Sequence, residues 1–235
     1  LNLTHEQFGF LGSSFFFLFA VAGVAGGFLA NRVQTRHLLF AMAIAWSLVQ
    51  FPMLATVTFE TLVVCRILLG AGEGPAGPIA LHALYKWFPD PLRGVPTAIV
   101  AQGSALGVIV AVPALNFIIV NYSWHWAFGA LGIVGLLWAA LWLAFGREGT
   151  LIDPPVAAPA DGHDRVPYRH LLTCPSIVAV CCAAFASYWG LALGLTWFTA
   201  YLVGGLGYSQ TMGGNLFILP WIFGMLVVLA GGWVS

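Results

Sequence analysis

Charged residues are scarce in this chain. Only 7% of its 235 residues are charged and 60% are hydrophobic, whereas a soluble domain has about 25% charged residues. So few charges cannot cover the surface of a water-soluble fold. The formal net charge is zero and no basic patch is interleaved with aromatic residues, so nothing points to nucleic acid as a partner. The composition predicts an all-α integral membrane protein with the lipid bilayer around it.

Metal-binding and catalytic patterns are missing as well. The four cysteines have no Cys-x-x-Cys spacing, and the six histidines do not cluster, so neither a disulfide framework nor a zinc site is indicated. The sequence also has no glycine-rich phosphate loop, nucleophile elbow or pair of carboxylates. We therefore expect no metal and no cofactor, and we do not expect an enzyme.

Seven apolar stretches are present, each near the length of about 20 residues that a membrane-spanning helix needs. They cover residues 8–30, 38–56, 61–84, 95–120, 126–145, 175–203 and 211–235. The pattern Thr4-His5-Glu6-Gln7 before the first stretch is typical of a capping box at a helix start.

Basic residues between the stretches fall on one side of the predicted membrane. Alternating the spans places Arg32, Arg36, Lys86, Arg93, Arg147, Arg165 and Arg169 on that side and no Lys or Arg on the other. The positive-inside rule makes the basic side cytoplasmic, so the first stretch runs inward. An outside start without a signal sequence predicts a missing upstream helix, and hence a fragment of a longer protein.

The polar stretch 146–170 is rich in Pro, Ala, Asp and Gly, which is typical of a flexible linker. We expect a first bundle at 1–145, a cytoplasmic linker at 146–170 and the start of a second bundle at 171–235. Gly26-Gly27 and Gly231-Gly232 end inward-running stretches, which fits two same-direction repeats.

Arg66 and Glu73 are the two charged residues that fall deep within an apolar stretch. A charge there costs at least about 2.5–3.5 kcal/mol on insertion scales, so such residues face protein or a water-filled cavity. On a helix they share one face, roughly 10 Å apart along the axis. Two interpretations are open: a structural ion pair that fixes helix contacts, or a substrate and proton site in a transporter.

Several segments resemble the major facilitator superfamily and, within it, the anion:cation symporter family. Residues 26–36 resemble the signature loop between the second and third helices, with Asn31 at the usual acidic position and Gln34 at the usual central glycine. Residues 66–75 and 85–94 resemble the fourth helix and its exit loop, while 102–107 and 196–202 resemble the fifth and seventh helices. The resemblance implies a major facilitator type helical bundle with two pseudo-repeated halves, truncated at both ends to helices two to eight.

The resemblance also implies roles for individual residues. Glu73 would take and release a coupling proton, and Arg66 would bias the pKa of that carboxyl or help attract an anionic substrate. The other substrate-binding candidates are Gln102, Ser104, Tyr188 and Trp197, and the candidates for the inner gating loop are Gly27, Asn31, Arg32 and Arg36.

Together these features predict a monomeric, proton-coupled importer of a small organic anion in a bacterial-type inner membrane, working by alternating access. Sugar acids, aromatic acids and dicarboxylates are all open as substrates. A uniporter, a sodium-coupled carrier, and a non-transporting sensor, receptor or scaffold are the alternatives. A retinal receptor is disfavoured because the last two stretches contain no lysine.

Overall fold

The computed structural model describes residues 3–55, 57–151 and 173–234, and every regular element in these ranges is a helix. The α-helices in chain order are α1 (His5–Ser14), α2 (Phe16–Ala30), α3 (Thr35–Leu48), α4 (Phe59–Glu73), α5 (Ala76–Tyr85), α6 (Gly94–Asn121), α7 (Trp124–Phe145), α8 (Pro175–Leu193) and α9 (Gln210–Val234). Short 3-10 turns lie at Phe51–Leu54 and Asp90–Leu92, and π-helical turns at Gly194–Phe198 and Tyr201–Gly205.

Seven helical segments within the described residues are long and apolar enough to cross a membrane, which confirms the seven predicted stretches. They are His5–Ala30, Thr35–Leu54, Phe59–Tyr85, Gly94–Asn121, Trp124–Phe145, Pro175–Phe198 and Gln210–Trp233. Many large apolar side chains, such as Phe28, Val110 and Phe145, are exposed. Apolar surface of this extent marks contact with a membrane or with other protein. The protein is an all-α, multi-pass membrane protein.

The first helix begins as its sequence predicts. The backbone N–H of Gln7 donates to Thr4 Oγ1 at 3.2 Å, and the backbone N–H of Thr4 donates to Gln7 Oε1 at 3.0 Å. This reciprocal pair is a capping box, which satisfies backbone donors that have no partner within the helix.

The chain divides into two compact units, Leu1–Leu151 with Ser209–Ser235, and Ile152–Tyr208. The first unit holds α1 to α7 and α9, and the second holds α8 with its π-helical turns. Within the first unit, α9 packs along α6, α2 along α4, and α3 along α7. The boundaries expected at 145 and 170 stay a prediction, and residues 152–170 of the expected linker lie outside the described residues.

The third membrane-spanning segment differs from its sequence pattern in one respect. The stretch 61–84 reads as one helix, but the structure ends α4 at Glu73 and begins α5 at Ala76. Pro75 lacks a backbone N–H, so it cannot donate to the preceding turn, and its ring clashes with a continuing helix. The break therefore follows directly after the buried-charge candidate Glu73.

Candidate functional site

Arg66 and Glu73 lie seven residues apart on α4, which places them on the same side of the helix. Glu73 closes this 15-residue helix near the middle of the 27-residue span Phe59–Tyr85. Both residues are exposed on the first unit. Their charges interact with each other, yet within the described residues no salt bridge joins them. The structural ion pair that the sequence left open is therefore not formed directly.

An exposed charge pair at this depth requires a polar neighbour. Ionisable side chains in the hydrocarbon region face the interior of a bundle or a water-filled cavity, because contact with lipid is costly. The guanidinium of Arg66 and the carboxyl of Glu73 thus offer a donor fork and a proton-binding group on one accessible face. This face can accept a small anion and a proton.

The position of this face is set by close packing of α4 on α1 and α2. A Cβ atom added at Gly70 would meet the carbonyl oxygen of Phe15, and one added at Gly74 would meet that of Phe19. Small residues at such crossings let two membrane helices approach to backbone contact. Gly70 and Gly74 permit this close approach, whereas Gly77 has nothing within 4 Å of its would-be Cβ atom.

Gln102 and Ser104 both lie on α6 but in different surroundings. Gln102 is buried, with 5% of its surface exposed, and its side-chain amide donates to the Ala98 carbonyl at 3.1 Å. Ser104 is exposed and its hydroxyl donates to the Ala101 carbonyl at 3.1 Å. Ser104 is thus available at the surface of the first unit, while Gln102 is held within it. Their substrate-binding roles stay predictions.

Tyr188 and Trp197 belong to the second unit. Tyr188 lies on α8 and is 53% exposed, and Trp197 lies in the π-helical turn Gly194–Phe198 and is 38% exposed. A π-helical turn inside a helix frequently occurs at a functional site. Both aromatic rings reach the surface of their own unit, and their part in substrate binding stays a prediction.

The candidate gating residues lie in and beside the basic loop that joins α2 to α3, with Gly27 on α2, Asn31 and Arg32 in the loop, and Arg36 on α3. Gly27, Asn31 and Arg32 are exposed. Arg36 is half-buried: its Nη2 donates to the Leu143 carbonyl at 2.7 Å, and its own carbonyl accepts from the Trp142 indole N–H at 2.9 Å. Arg36, unlike the other three, is therefore tied to α7, the last helix before the expected linker.

A carboxylate that follows α7 binds the start of α3. Glu148 accepts hydrogen bonds from the backbone N–H of Thr35 at 3.2 Å, from the Thr35 hydroxyl at 2.9 Å and from the backbone N–H of Arg36 at 2.9 Å. It also forms a salt bridge with Lys86, which follows α5. The loops after α2, α5 and α7 therefore meet at one end of the first unit, as the alternation of spans predicts.

The hydrogen bonds keep Glu148 ionised. Burial by itself raises the pKa of the Glu148 carboxyl, but the hydrogen bond from Lys86 and those from Arg36 and Thr35 outweigh it and lower the pKa to about 2. Hydrogen bonds to the charged form favour that form. At neutral pH Glu148 therefore carries a full negative charge at the N-terminus of α3, where the helix dipole also favours an anion.

Comparison with known proteins places the chain in a family. The family model of the Major Facilitator Superfamily matches residues 1–235. The chain belongs to this superfamily. Within the described residues no group of three His, Cys, Asp or Glu side chains is placed to hold a metal ion.

Three curated members are similar over nearly the whole chain. The hexuronate transporter of Bacillus subtilis is 31% identical over 239 residues, covering 100% of this chain and 57% of that protein. The sodium-dependent phosphate transport protein 1, chloroplastic, of Arabidopsis thaliana is 29% identical over 240 residues, covering 97% and 47%. The D-galactonate transporter of Escherichia coli is 26% identical over 256 residues, covering 100% and 59%. The chain spans about half the length of these relatives.

A solved structure shows the same fold. The crystal structure of a bacterial homologue of the human lysosomal transporter Spinster, inward-facing and unoccupied, matches with a TM-score of 0.63 and 20% sequence identity. The match covers 97% of this chain and 52% of that one. The expected superfamily fold is therefore confirmed.

Sequence reasoning counted Lys86 as a cytoplasmic charge and assigned no role to Thr35 or Glu148. One local signal was available. Gln34 occupies the N-cap of α3 and makes no side-chain capping bond, and Gln is not among the residues preferred at that position. A membrane helix that begins without its own cap needs an acceptor from elsewhere in the chain.

Proposed function

We propose that this protein is a secondary transporter that imports a small organic anion together with a proton, by alternating access, across a bacterial-type inner membrane. The observation that carries the proposal is the Arg66 and Glu73 pair on α4. The two charges lie on one exposed face within a membrane-spanning segment, with no salt bridge between them. That arrangement leaves both groups open to a ligand.

Arg66 supplies the recognition of the anion in this proposal. A guanidinium presents parallel N–H donors that match the two oxygens of a carboxylate, which adds both energy and orientation. The names of the hexuronate and D-galactonate transporters refer to carboxylated sugars, which supports a sugar acid as the substrate. Sugar hydroxyls require further polar partners, and Ser104 on α6 is exposed to provide one. Gln102, Tyr188 and Trp197 are the remaining substrate-binding candidates.

Glu73 supplies the coupling to protons in this proposal. Its carboxyl shares a face with a cation, so binding of a substrate anion to Arg66 changes the electrostatic field in which the carboxyl holds its proton. The break after Glu73 supports this role, because transporter sites are often built where a membrane helix is discontinuous. The basic loop with Gly27, Asn31, Arg32 and Arg36 forms the proposed inner gate. The proposed transporter is a monomer and performs no chemical conversion.

The test is transport by the full-length protein reconstituted in liposomes. A pH-sensitive dye inside the vesicles reports proton entry while hexuronates, aldonates, aromatic acids, dicarboxylates and phosphate are offered one at a time. We expect a sugar acid to drive acidification of the lumen without added sodium. Acidification by none of the acids contradicts proton symport.

A second transport assay determines the coupling ion. The name of the Arabidopsis relative refers to sodium dependence, so sodium coupling is the specific rival. Uptake of a radiolabelled acid is compared under an inward proton gradient and under an inward sodium gradient at equal pH. Uptake that follows sodium alone overturns proton coupling, and uptake that needs neither gradient identifies a uniporter. No uptake of any acid favours a sensor or scaffold.

A further inference from the structure

The basic loop between α2 and α3 lacks the acidic residue that the signature pattern carries. Asn31 stands at that position, is exposed, and makes no side-chain hydrogen bond within the described residues. Arg32 beside it is also exposed. Among the described residues, no acidic side chain forms a salt bridge with the α2 end of the loop.

A carboxylate does act at the other end of the loop. Glu148 accepts from two backbone N–H groups and one hydroxyl at the start of α3, across 113 residues to Thr35 and 112 residues to Arg36. The N-cap residue Gln34 makes no side-chain bond to these groups. Thus Glu148 performs for α3 the capping that residues near the helix start usually perform.

The segment that contains Glu148 is also bonded to Lys86, the residue that follows α5. Lys86 forms a salt bridge with Glu148, and the Lys86 carbonyl accepts from the backbone N–H of Leu151 at 2.9 Å. A Cβ atom added at Gly149 would meet that same carbonyl oxygen. Within the expected linker 146–170, Glu148 therefore bonds to the start of α3 and to Lys86, and Leu151 bonds to the Lys86 carbonyl.

We propose that Glu148 is the positioning residue of the inner gate: it supplies, from beyond α7, the carboxylate that the signature loop lacks at position 31. By capping α3 it holds Arg36 in place and makes the inner ends of α3, α5 and α7 move as one body. The residues that bear on the proposal are thus the cap donors Thr35 and Arg36, with Lys86 neutralising the carboxylate. This inference rests on the proposed transport function for its role in gating, but its structural part does not.

The structural part is tested by amide hydrogen exchange of the full-length protein, read in peptides that cover residues 33–38. In Glu148→Gln we expect exchange of the Thr35 and Arg36 amides to accelerate about tenfold, which corresponds to about 1.4 kcal/mol. The matched control is Asp90→Asn, because Asp90 also pairs with a cation at a loop that follows α5, yet its side chain is 80% exposed. Unchanged exchange in Glu148→Gln, or equal acceleration in the control, overturns the proposal.

Two further variants separate capping from simple charge pairing. Lys86→Met removes the salt bridge but leaves the cap donors, so exchange at residues 33–38 should stay within twofold of the wild type. The double variant Lys86→Glu, Glu148→Lys restores a pair of opposite charges but gives α3 no acceptor, so exchange should stay fast. If Lys86→Met acts like Glu148→Gln, or the exchanged charges restore protection, the salt bridge and not the cap holds the loop.

The gating part is read in transport. Because Glu148 lies outside the membrane-spanning segments and Arg66 and Glu73 lie within one, Glu148→Gln should lower the maximal rate about tenfold while KM and equilibrium substrate binding stay within twofold. A purely structural role would lower the amount of folded protein and leave the rate per folded molecule unchanged, and this outcome overturns the gating role. If the wild type transports no acid at all, the proposed function fails, while the exchange data still decide whether Glu148 caps α3. Should Glu148→Gln not fold, Thr35→Val, which removes one donor, is expected to give a smaller acceleration of the Arg36 amide.

Discussion

Glu148 accepts a hydrogen bond from the backbone N–H of Arg36 at 2.9 Å, although 112 residues separate the two in the chain. The bond joins the start of α3 to the segment after α7. Together with the salt bridge to Lys86 it brings three loops to one point at one end of the first unit. The proposed transport site at Arg66 and Glu73 lies deeper in the membrane-spanning segment that ends next to Lys86.

Replacing Glu73 with Gln keeps the size and polarity of the side chain but removes the proton-binding group. We expect Glu73→Gln to abolish proton entry driven by substrate, because no carboxyl is left to carry the proton. Exchange of labelled for unlabelled substrate at equal concentrations should persist, since Arg66 is intact. The measurement pairs lumenal pH with counterflow in the same vesicles. Proton flux at the wild-type level would exclude Glu73 as the coupling residue.

Replacing Arg66 with Lys keeps the charge but removes the planar fork of donors. A lysine ammonium cannot bind a carboxylate through two parallel hydrogen bonds, so the exchange is not conservative at such a site. We expect substrate affinity to fall at least about tenfold, which corresponds to about 1.4 kcal/mol. Equilibrium binding to the detergent-solubilised protein measures this, and Arg93→Lys, in a loop outside the membrane-spanning segments, is the matched control. Equal affinity of Arg66→Lys and the wild type would place the anion elsewhere.

Replacing Gly70 or Gly74 with Ala puts a methyl group against a backbone carbonyl. The contacts with Phe15 and Phe19 cannot yield as a flexible side chain would, and overpacking typically costs about 1–3 kcal/mol. We expect each variant to lower the midpoint of thermal unfolding. Gly77→Ala is the matched control, because nothing lies within 4 Å of its added methyl group, and Ala favours a helix over Gly by roughly 0.5–1 kcal/mol. A Gly77→Ala protein as destabilised as the other two would show that helix packing is not the cause.

The contribution of Glu148 to stability should depend on pH in a defined direction. The folded-state pKa of Glu148 is lowered to about 2, below the value of about 4.3 for an unfolded glutamate. Its contribution is therefore complete above roughly pH 5 and is lost as the pH falls toward the folded-state value. We expect Glu148→Gln to unfold at a lower temperature than the wild type, by an amount that corresponds to ~0.5–2 kcal/mol for a lost cap. This difference in unfolding temperature should be constant from pH 5 to pH 8. Below pH 4 the unfolding temperatures of the wild type and Glu148→Gln should converge. A difference in unfolding temperature that grows on acidification would contradict the low pKa of Glu148.

A structural feature could be predicted from the sequence when the residues that form it are close together in the chain. The membrane-spanning segments, the capping box at Thr4 and the shared face of Arg66 and Glu73 depend on residues within a few turns of one another. Local periodicity and hydropathy therefore sufficed for them. Pro75 is the residue in the sequence that indicates the break after Glu73. The apolar run across the break nevertheless predicted a single helix, because hydropathy does not depend on whether a residue has a backbone N–H.

The same distinction applies to the residues of the candidate site. Arg66 and Glu73 were found because a charge in an apolar run is conspicuous. Glu148 was assigned to a linker, because its partners Thr35, Arg36 and Lys86 are remote in the chain and its own neighbours are polar. The surroundings of Gln102 also needed the structure, since one α-helical position cannot show from sequence whether its side chain is buried.

The sequence by itself determined that this protein is a helical membrane protein and which charges lie within its spans, because the transfer of each segment into lipid depends on its own composition. Only the tertiary structure decided that α4 meets α1 and α2 at backbone contact through Gly70 and Gly74, and that Glu148 caps α3. Both depend on how helices distant in sequence pack, and hydrogen bonds and steric contacts act only over a few ångströms. No local pattern in the chain encodes which distant residue will come within that range.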